Sequence, residues 1–192
     1  MARGKLIIVI GPMGSGKGSL IRHASEHFPD LGILPSYTSR PKRPDHVEGS
    51  HYRFISLDEF KAMIERDEFL ERATFSDNYY GTRKQDLEDC LTKGKVVIKE
   101  MEVQGVRQVK QLLPKEDLIT IFINAGPWEE LKDRAIKRDH MSEEELARRK
   151  ERYDDEVTFM PEADLIIENR TGEREKADQA FEAVISEAIS NT

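Results

Sequence analysis

An apolar run, Leu6–Ile10, leads without a break into Gly11-Pro12-Met13-Gly14-Ser15-Gly16-Lys17-Gly18-Ser19-Leu20. The spacing Gly11, Gly16, Lys17 fits the phosphate-binding loop that follows a strand and opens a helix. Glycines let successive backbone N–H groups curl around phosphate oxygens, and the N-terminal end of a following helix adds its positive dipole. Lys17 is placed to bridge the β- and γ-phosphates of a nucleoside triphosphate. The Ser or Thr usual directly after the lysine is Gly18 here, with Ser19 next. Either Ser19 supplies the hydroxyl that ligates magnesium, or the ion is held through water and phosphate.

Four further runs read as strands: Ile33–Ser36, Val96–Ile98, Leu118–Ile123 and Leu165–Ile167. Near-continuous Val, Ile and Leu without alternation is the pattern of parallel strands covered by helices on both faces. Helical patterns lie between them, at Lys17–His27, Leu57–Arg66, Lys84–Thr92, Gly105–Leu112, Pro127–Arg138, Ser142–Tyr153 and Glu173–Ser190. The alternation predicts an α/β fold with a mostly parallel five-stranded sheet. Ser36–Tyr80, polar and rich in Pro, Gly and aromatics, reads as a lobe inserted after a core strand. Pro127–Glu156, a charge-dense helical pair, reads as a second insertion.

Composition narrows the function classes. The 192 residues suffice for one domain with a sizeable core. Lys plus Arg is 30 against 37 Asp plus Glu, a net charge of −7, which argues against a general binder of nucleic acid or anionic membrane. Cys90 stands alone, so no internal disulfide forms and a reducing, cytoplasmic home is expected. Five apolar residues at Leu6–Ile10 fall short of the ~7–15 of a signal-peptide core and the ~20 of a spanning helix.

Ser36-Tyr37-Thr38-Ser39-Arg40-Pro41-Lys42-Arg43-Pro44 offers hydroxyls and two guanidinium groups in a proline-stiffened loop, able to fork onto one phosphate. Glu48-Gly49-Ser50-His51-Tyr52, Phe69-Leu70-Glu71, Asn78-Tyr79-Tyr80-Gly81-Thr82 and Lys99-Glu100-Met101-Glu102-Val103-Gln104-Gly105 follow. Taken in this order and spacing, with the glycine loop, these segments resemble the guanylate kinases from Leu6 to about Asn169.

The resemblance implies a P-loop kinase that phosphorylates GMP, and dGMP, with magnesium-ATP. It implies a single domain: a core of about residues 1–35, 83–126 and 157–192, a GMP-binding lobe at about 36–82 and a lid at about 127–156. Carried over by position, the loop Gly11–Ser19 holds ATP, with Asn169 near the adenine. Arg40, Arg43, Tyr52 and Tyr80 hold the GMP phosphate, while Ser36, Glu71 and Thr82 address guanine. Glu100 and Glu102 stand where the family usually has aspartates; they keep the charge and add a methylene to each arm.

The chemistry agrees. The Watson–Crick edge of guanine offers N1–H and N2–H2 as donors, and an ionised carboxylate such as Glu71 only accepts. Adenine presents an acceptor at N1 and leaves that carboxylate unpaired, a mismatch that discriminates strongly when buried. Ser36 and Thr82 can donate to O6 or N7. Thr82-Arg83-Lys84-Gln85 also fits a helix capping box, as does Ser56-Leu57-Asp58-Glu59, so Thr82 has two readings.

In the second insertion, Arg134 and Arg138 share a helix face. Arg148 and Arg149 lie on a helix begun by the capping box Ser142-Glu143-Glu144-Glu145. The resemblance assigns Arg134, Arg138 and Arg149 to a lid that closes over the ATP phosphates, and notes Asp139 where the family usually has a glycine. Residues 132–152 carry eight basic and six acidic side chains, too balanced for a nucleic-acid stripe. His23 and His27 have metal-ligand spacing but no third ligand in sequence, so they read as a surface pair and no protein metal site is expected. Cys90 reads as an ordinary thiol, Trp128 as packing and the C-terminal segment as a core-closing helix. Two alternatives remain: a kinase with a shifted acceptor, and an inactive phosphopeptide-binding module. The oligomeric state is left open, monomer or homodimer.

Overall fold

A computed structural model describes residues 3–42, 52–75, 77–138 and 142–192, with backbone alone at 75, 137 and 138. Arg43 and Asp139 therefore lie outside the described residues, and the side chain of Arg138 does too.

Five parallel strands form the core sheet: β1 (Lys5–Ile10), β2 (Gly32–Ile33), β7 (Val96–Glu100), β8 (Leu118–Asn124) and β9 (Leu165–Glu168). Their order is β2-β7-β1-β8-β9, with β1 paired to both β7 and β8. Leu6 to Ile10 are all fully buried because helices cover both faces. One face packs Ile7, Val9 and Ile121 against Leu20 and Ala24 of α1 (Lys17–His27) and Phe181 and Ile185 of α7 (Arg174–Ser190). The other packs Leu6, Ile8 and Ile10 against α3 (Lys84–Leu91), α4 (Val103–Leu112) and Phe159. Each such buried aliphatic side chain contributes about 1.5–3 kcal/mol relative to exposure. The expected fold class and the core-closing role of the C-terminal helix are both observed.

Ile33–Ser36 is not one strand. Leu34 N–H makes the last bond to the β7 side, donating to the Ile98 carbonyl at 3.0 Å. Pro35 has no N–H with which to continue the ladder, and the chain leaves the sheet. Ser36 opens β3 (Ser36–Thr38) of a second, four-stranded sheet, with β4 (Tyr52–Phe54), β5 (Phe69–Phe75) and β6 (Asn78–Arg83), in the order β4-β3-β6-β5. The polar segment thus contains a sheet that its composition did not announce. Helix α2 (Leu57–Glu65) closes this sheet by stacking Phe60 on Phe69 at 4.4 Å between ring centroids. Its N-terminus is capped as expected, the Ser56 hydroxyl accepting from Glu59 N–H at 3.1 Å.

A register shift in β5 between Phe69 and Glu71 breaks its alternation. Phe69 enters the second sheet's core, Leu70 the main core, and Glu71 the cleft between the two sheets. The second insertion is α5 (Trp128–Arg138) followed by α6 (Glu143–Thr158). Trp128 packs on Tyr153 at 5.8 Å between rings, and the Ser142 hydroxyl caps α6 by accepting from Glu145 N–H at 3.2 Å. Among the described residues no helix is long and apolar enough to cross a membrane.

Candidate active site

The glycine loop joins β1 to α1 as expected. Gly11, Gly14 and Gly16 all have positive φ, which glycine adopts without the steric penalty of a Cβ. At Gly16, φ +94°, a Cβ would collide with Asn169 Nδ2. Asn169 is buried just past β9; its Nδ2 donates to the Ser15 carbonyl at 2.7 Å, and its N–H to the Asn124 carbonyl at 2.8 Å. It braces the loop from behind. The buried Lys17 ammonium donates to the loop carbonyls of Gly11 at 2.5 Å and Pro12 at 3.2 Å, and lies 3.4 Å from Glu100 Oε1.

Lys17 and Gly18 form one end of an open cleft of about 410 Å³; Ser36, Glu71, Tyr80 and Lys99 form the other. Glu71 is 7% exposed, and its Oε1 accepts from the Thr82 hydroxyl at 2.5 Å. Helix α3 begins at Lys84 with Arg83 at its N-cap, so Thr82 faces Glu71 and caps no helix. Gly105 of α4 makes room for this carboxylate: a Cβ there would stand 3.0 Å from Glu71 Oε2. Burial pushes the Glu71 carboxyl above its ordinary range, opposed by the Lys99 ammonium and the Thr82 bonds and reinforced by Glu102.

Sequence alone assigns Lys99 no role, because it stands just past the apolar run Val96–Ile98; the observed strand continues through it to Glu100. Its ammonium donates to the Ser36 hydroxyl at 2.6 Å and the Pro35 carbonyl at 3.3 Å. Burial lowers its pKa to about 8, against the attraction of Glu71 and Asp86. Glu156 of α6 was missed too. It lines the cleft beside the loop, and burial raises its carboxyl to about 7 despite the pull of Lys17 and the Met13 N–H; Glu102 and Glu100 push the same way as burial.

Arg40 sits over the rings of Tyr52 and Phe54, 5.7 Å from each centroid. Tyr52 and Tyr80 meet edge to face at 6.3 Å. The buried Arg40 Nε finds no hydrogen-bond partner among the described residues. Arg40, Tyr52 and Tyr80 are thus brought together. Two of the insertion arginines are engaged elsewhere: Arg134 donates to the Thr171 hydroxyl at 2.8 Å, and Arg149 to Glu145 at 2.8 Å.

His23 and His27 do gain a third polar neighbour, Glu182 of α7, with His23 Nε2 2.8 Å from Glu182 Oε1. His27 Nδ1 is bonded to the His23 carbonyl at 2.8 Å, so the trio ties α1 to α7 by hydrogen bonds. Cys90 is half-buried, and burial raises its thiol.

The family model "Guanylate kinase" matches residues 3–188. The chain is 42% identical over 182 residues to the guanylate kinase of Thermosynechococcus vestitus, covering 95% of this chain and 93% of that one. It is 40% identical over 182 residues to the guanylate kinase of Nostoc sp. strain PCC 7120, covering 95% and 89%. Its fold matches the crystal structure of guanylate kinase from Anaplasma phagocytophilum with a TM-score of 0.72 at 24% identity, over 97% of this chain and 87% of that one.

Proposed function

The chain belongs to the guanylate kinase family, and we propose that its cleft seats ATP on the glycine loop and GMP against the second sheet. It is an ATP:GMP phosphotransferase, moving the γ-phosphoryl group of ATP to GMP to give ADP and GDP. The observation that carries the site assignment is Glu71: a buried carboxylate held by Thr82 at the far end of the cleft that begins at Lys17. An ionised carboxylate there accepts from N1–H and N2–H2 of guanine, and the Ser36 hydroxyl can donate to O6. dGMP presents the same base and is a second acceptor.

Arg40, whose Nε has no hydrogen-bond partner among the described residues and which sits over Tyr52, fits an incoming phosphate, and Arg43 would be the second guanidinium of that set. Lys17 lets go of the Gly11 and Pro12 carbonyls to reach the β- and γ-phosphates. Arg134, Arg138 and Arg149 close over the triphosphate from α5 and α6, Arg134 leaving Thr171 and Arg149 leaving Glu145. Asn169 serves ATP by fixing the loop and borders the adenine.

Magnesium is an oxygen-seeking ion that keeps much of its water. The donor set fits it: Gly18 offers no hydroxyl, but the Glu100 carboxylate lies 3.4 Å from Lys17 and Glu102 lines the same cleft. Those two carboxylates, or Ser19, would hold the ion's water shell. When bound, the ion neutralises charge on the phosphates. The attacking GMP phosphate oxygen is already anionic, so no general base is needed, and the side chains act by positioning and charge stabilisation. Closure keeps water from taking the phosphoryl group.

Neither a shifted acceptor nor a phosphopeptide-binding role draws support from this site. The test is ADP production from magnesium-ATP with GMP, with AMP and without acceptor. Turnover with GMP and silence with AMP is expected; equal turnover with AMP overturns the guanine assignment.

A further inference from the structure

A lysine in the middle of a buried strand is costly, because its charge leaves water. Lys99 occupies the fourth position of β7, opposite Ile8 of β1, and is 4% exposed. A methionine has comparable length and no charge to bury. The ammonium is therefore held by what it meets: the Ser36 hydroxyl at 2.6 Å, the Pro35 carbonyl at 3.3 Å, and the negative charge of Glu71. Ser36 and Glu71 come from different strands and face the same end of the cleft. Lys99 joins them from beneath.

A lysine ammonium only donates. A serine hydroxyl that accepts from it spends one lone pair and keeps its own proton for another acceptor. We propose that Lys99 is a specificity-determining positioning residue of the acceptor site: it commits Ser36 to donate to a 6-oxo purine and holds the Glu71 carboxylate as an acceptor for the N1–H and N2–H2 edge. The proposal rests on the reading that guanine occupies this end of the cleft. Without Lys99, the Ser36 hydroxyl is free to turn and accept from the 6-amino group of adenine. Loss of the ammonium thus costs twice, once in affinity for GMP and once in rejection of AMP.

The test is steady-state kinetics with GMP and AMP on the wild-type enzyme, Lys99→Met, Ser36→Ala and the double variant. For Lys99→Met the KM for GMP is expected to rise about tenfold, with kcat and the KM for ATP held within about twofold, since the lost bond is charge-assisted and remote from the triphosphate. The GMP-to-AMP ratio of kcat/KM is expected to fall by at least about tenfold, a change that a loosened fold does not produce. Because Lys99 acts through Ser36, the double variant should be no more than about twofold worse than Lys99→Met alone. An unchanged KM and ratio, or effects that multiply in full, overturn the proposal.

Ser36→Ala covers a Lys99→Met protein that does not fold, since it leaves β7 and the ammonium in place. Lys99 faces the Ser36 hydroxyl at 2.6 Å and acts on the base through it. The GMP-to-AMP ratio of kcat/KM for Ser36→Ala is expected to fall by at least about fivefold, the loss of one oriented donor; an unchanged ratio overturns the proposal. The underlying guanine reading fails differently, by a wild-type enzyme that does not prefer GMP or a Glu71→Gln variant with an unaltered KM for GMP.

Discussion

Asn169 Nδ2 and the Ser15 carbonyl meet at 2.7 Å across 154 residues of chain, so the segment after β9 holds the glycine loop from behind. The bond is buried, and both groups lose their partner if the amide is removed. Asn169→Ala is expected to destabilise the fold by about 1–2 kcal/mol, the cost of one buried unsatisfied group. It is also expected to raise the KM for ATP severalfold while leaving the KM for GMP near wild type. A thermal melt and two substrate titrations check this; a change confined to GMP contradicts the bracing role.

Much of this site was legible in the chain. The loop announces itself because a strand, three glycines and Lys17 must be contiguous to cradle phosphate. The core strands announce themselves because both their faces are buried. The second sheet does not, because β3 and β4 are three residues long and the β5 register shift spoils the period of two. Thr82 fitted a capping box equally well, and only the course of β6 turns it toward Glu71. Lys99 and Glu156 were hidden for a common reason. Each is a charged residue whose meaning comes from other elements, Ser36 and Glu71 for Lys99 and the glycine loop for Glu156, so no local pattern marks it.

Lys17 donates to two loop carbonyls but lines the cleft and belongs to neither apolar core of the main sheet. Lys17→Ala should retain its circular-dichroism spectrum and melt within a few degrees of wild type. Its kcat is expected to fall by at least about a hundredfold, on the scale of removing one preorganised charge from a phosphoryl-transfer site. Near-normal turnover would remove Lys17 from the phosphate site.

Glu71 accepts from Thr82 through Oε1, and Oε2 stands close to Gly105. Glu71→Gln keeps the shape but points an NH2 donor at the guanine edge. The KM for GMP is expected to rise by about tenfold to a hundredfold, the range for a buried polar mismatch. Thr82→Val, which removes the hydroxyl that orients the carboxylate, should give a smaller rise in the same parameter. Isothermal titration with GMP separates both effects from turnover.

Glu156 links pH to stability. Its carboxyl is raised to about 7 in the folded protein, first by burial, against an ordinary 4.5. The folded state thus holds this proton more tightly than the unfolded chain. The group's favourable contribution is full below about pH 4.5, declines as pH rises and is lost above about 7. Glu156→Gln is neutral at every pH and has no such dependence. At pH 8 the variant is expected to be the more stable by on the order of 2 kcal/mol, the scale of a shift of this size, and at pH 5 the two should melt nearly together. Paired melts at about pH 5, 6.5 and 8 check this. A difference that does not grow with pH would place the Glu156 carboxylate in solvent, away from the Met13 N–H and Lys17.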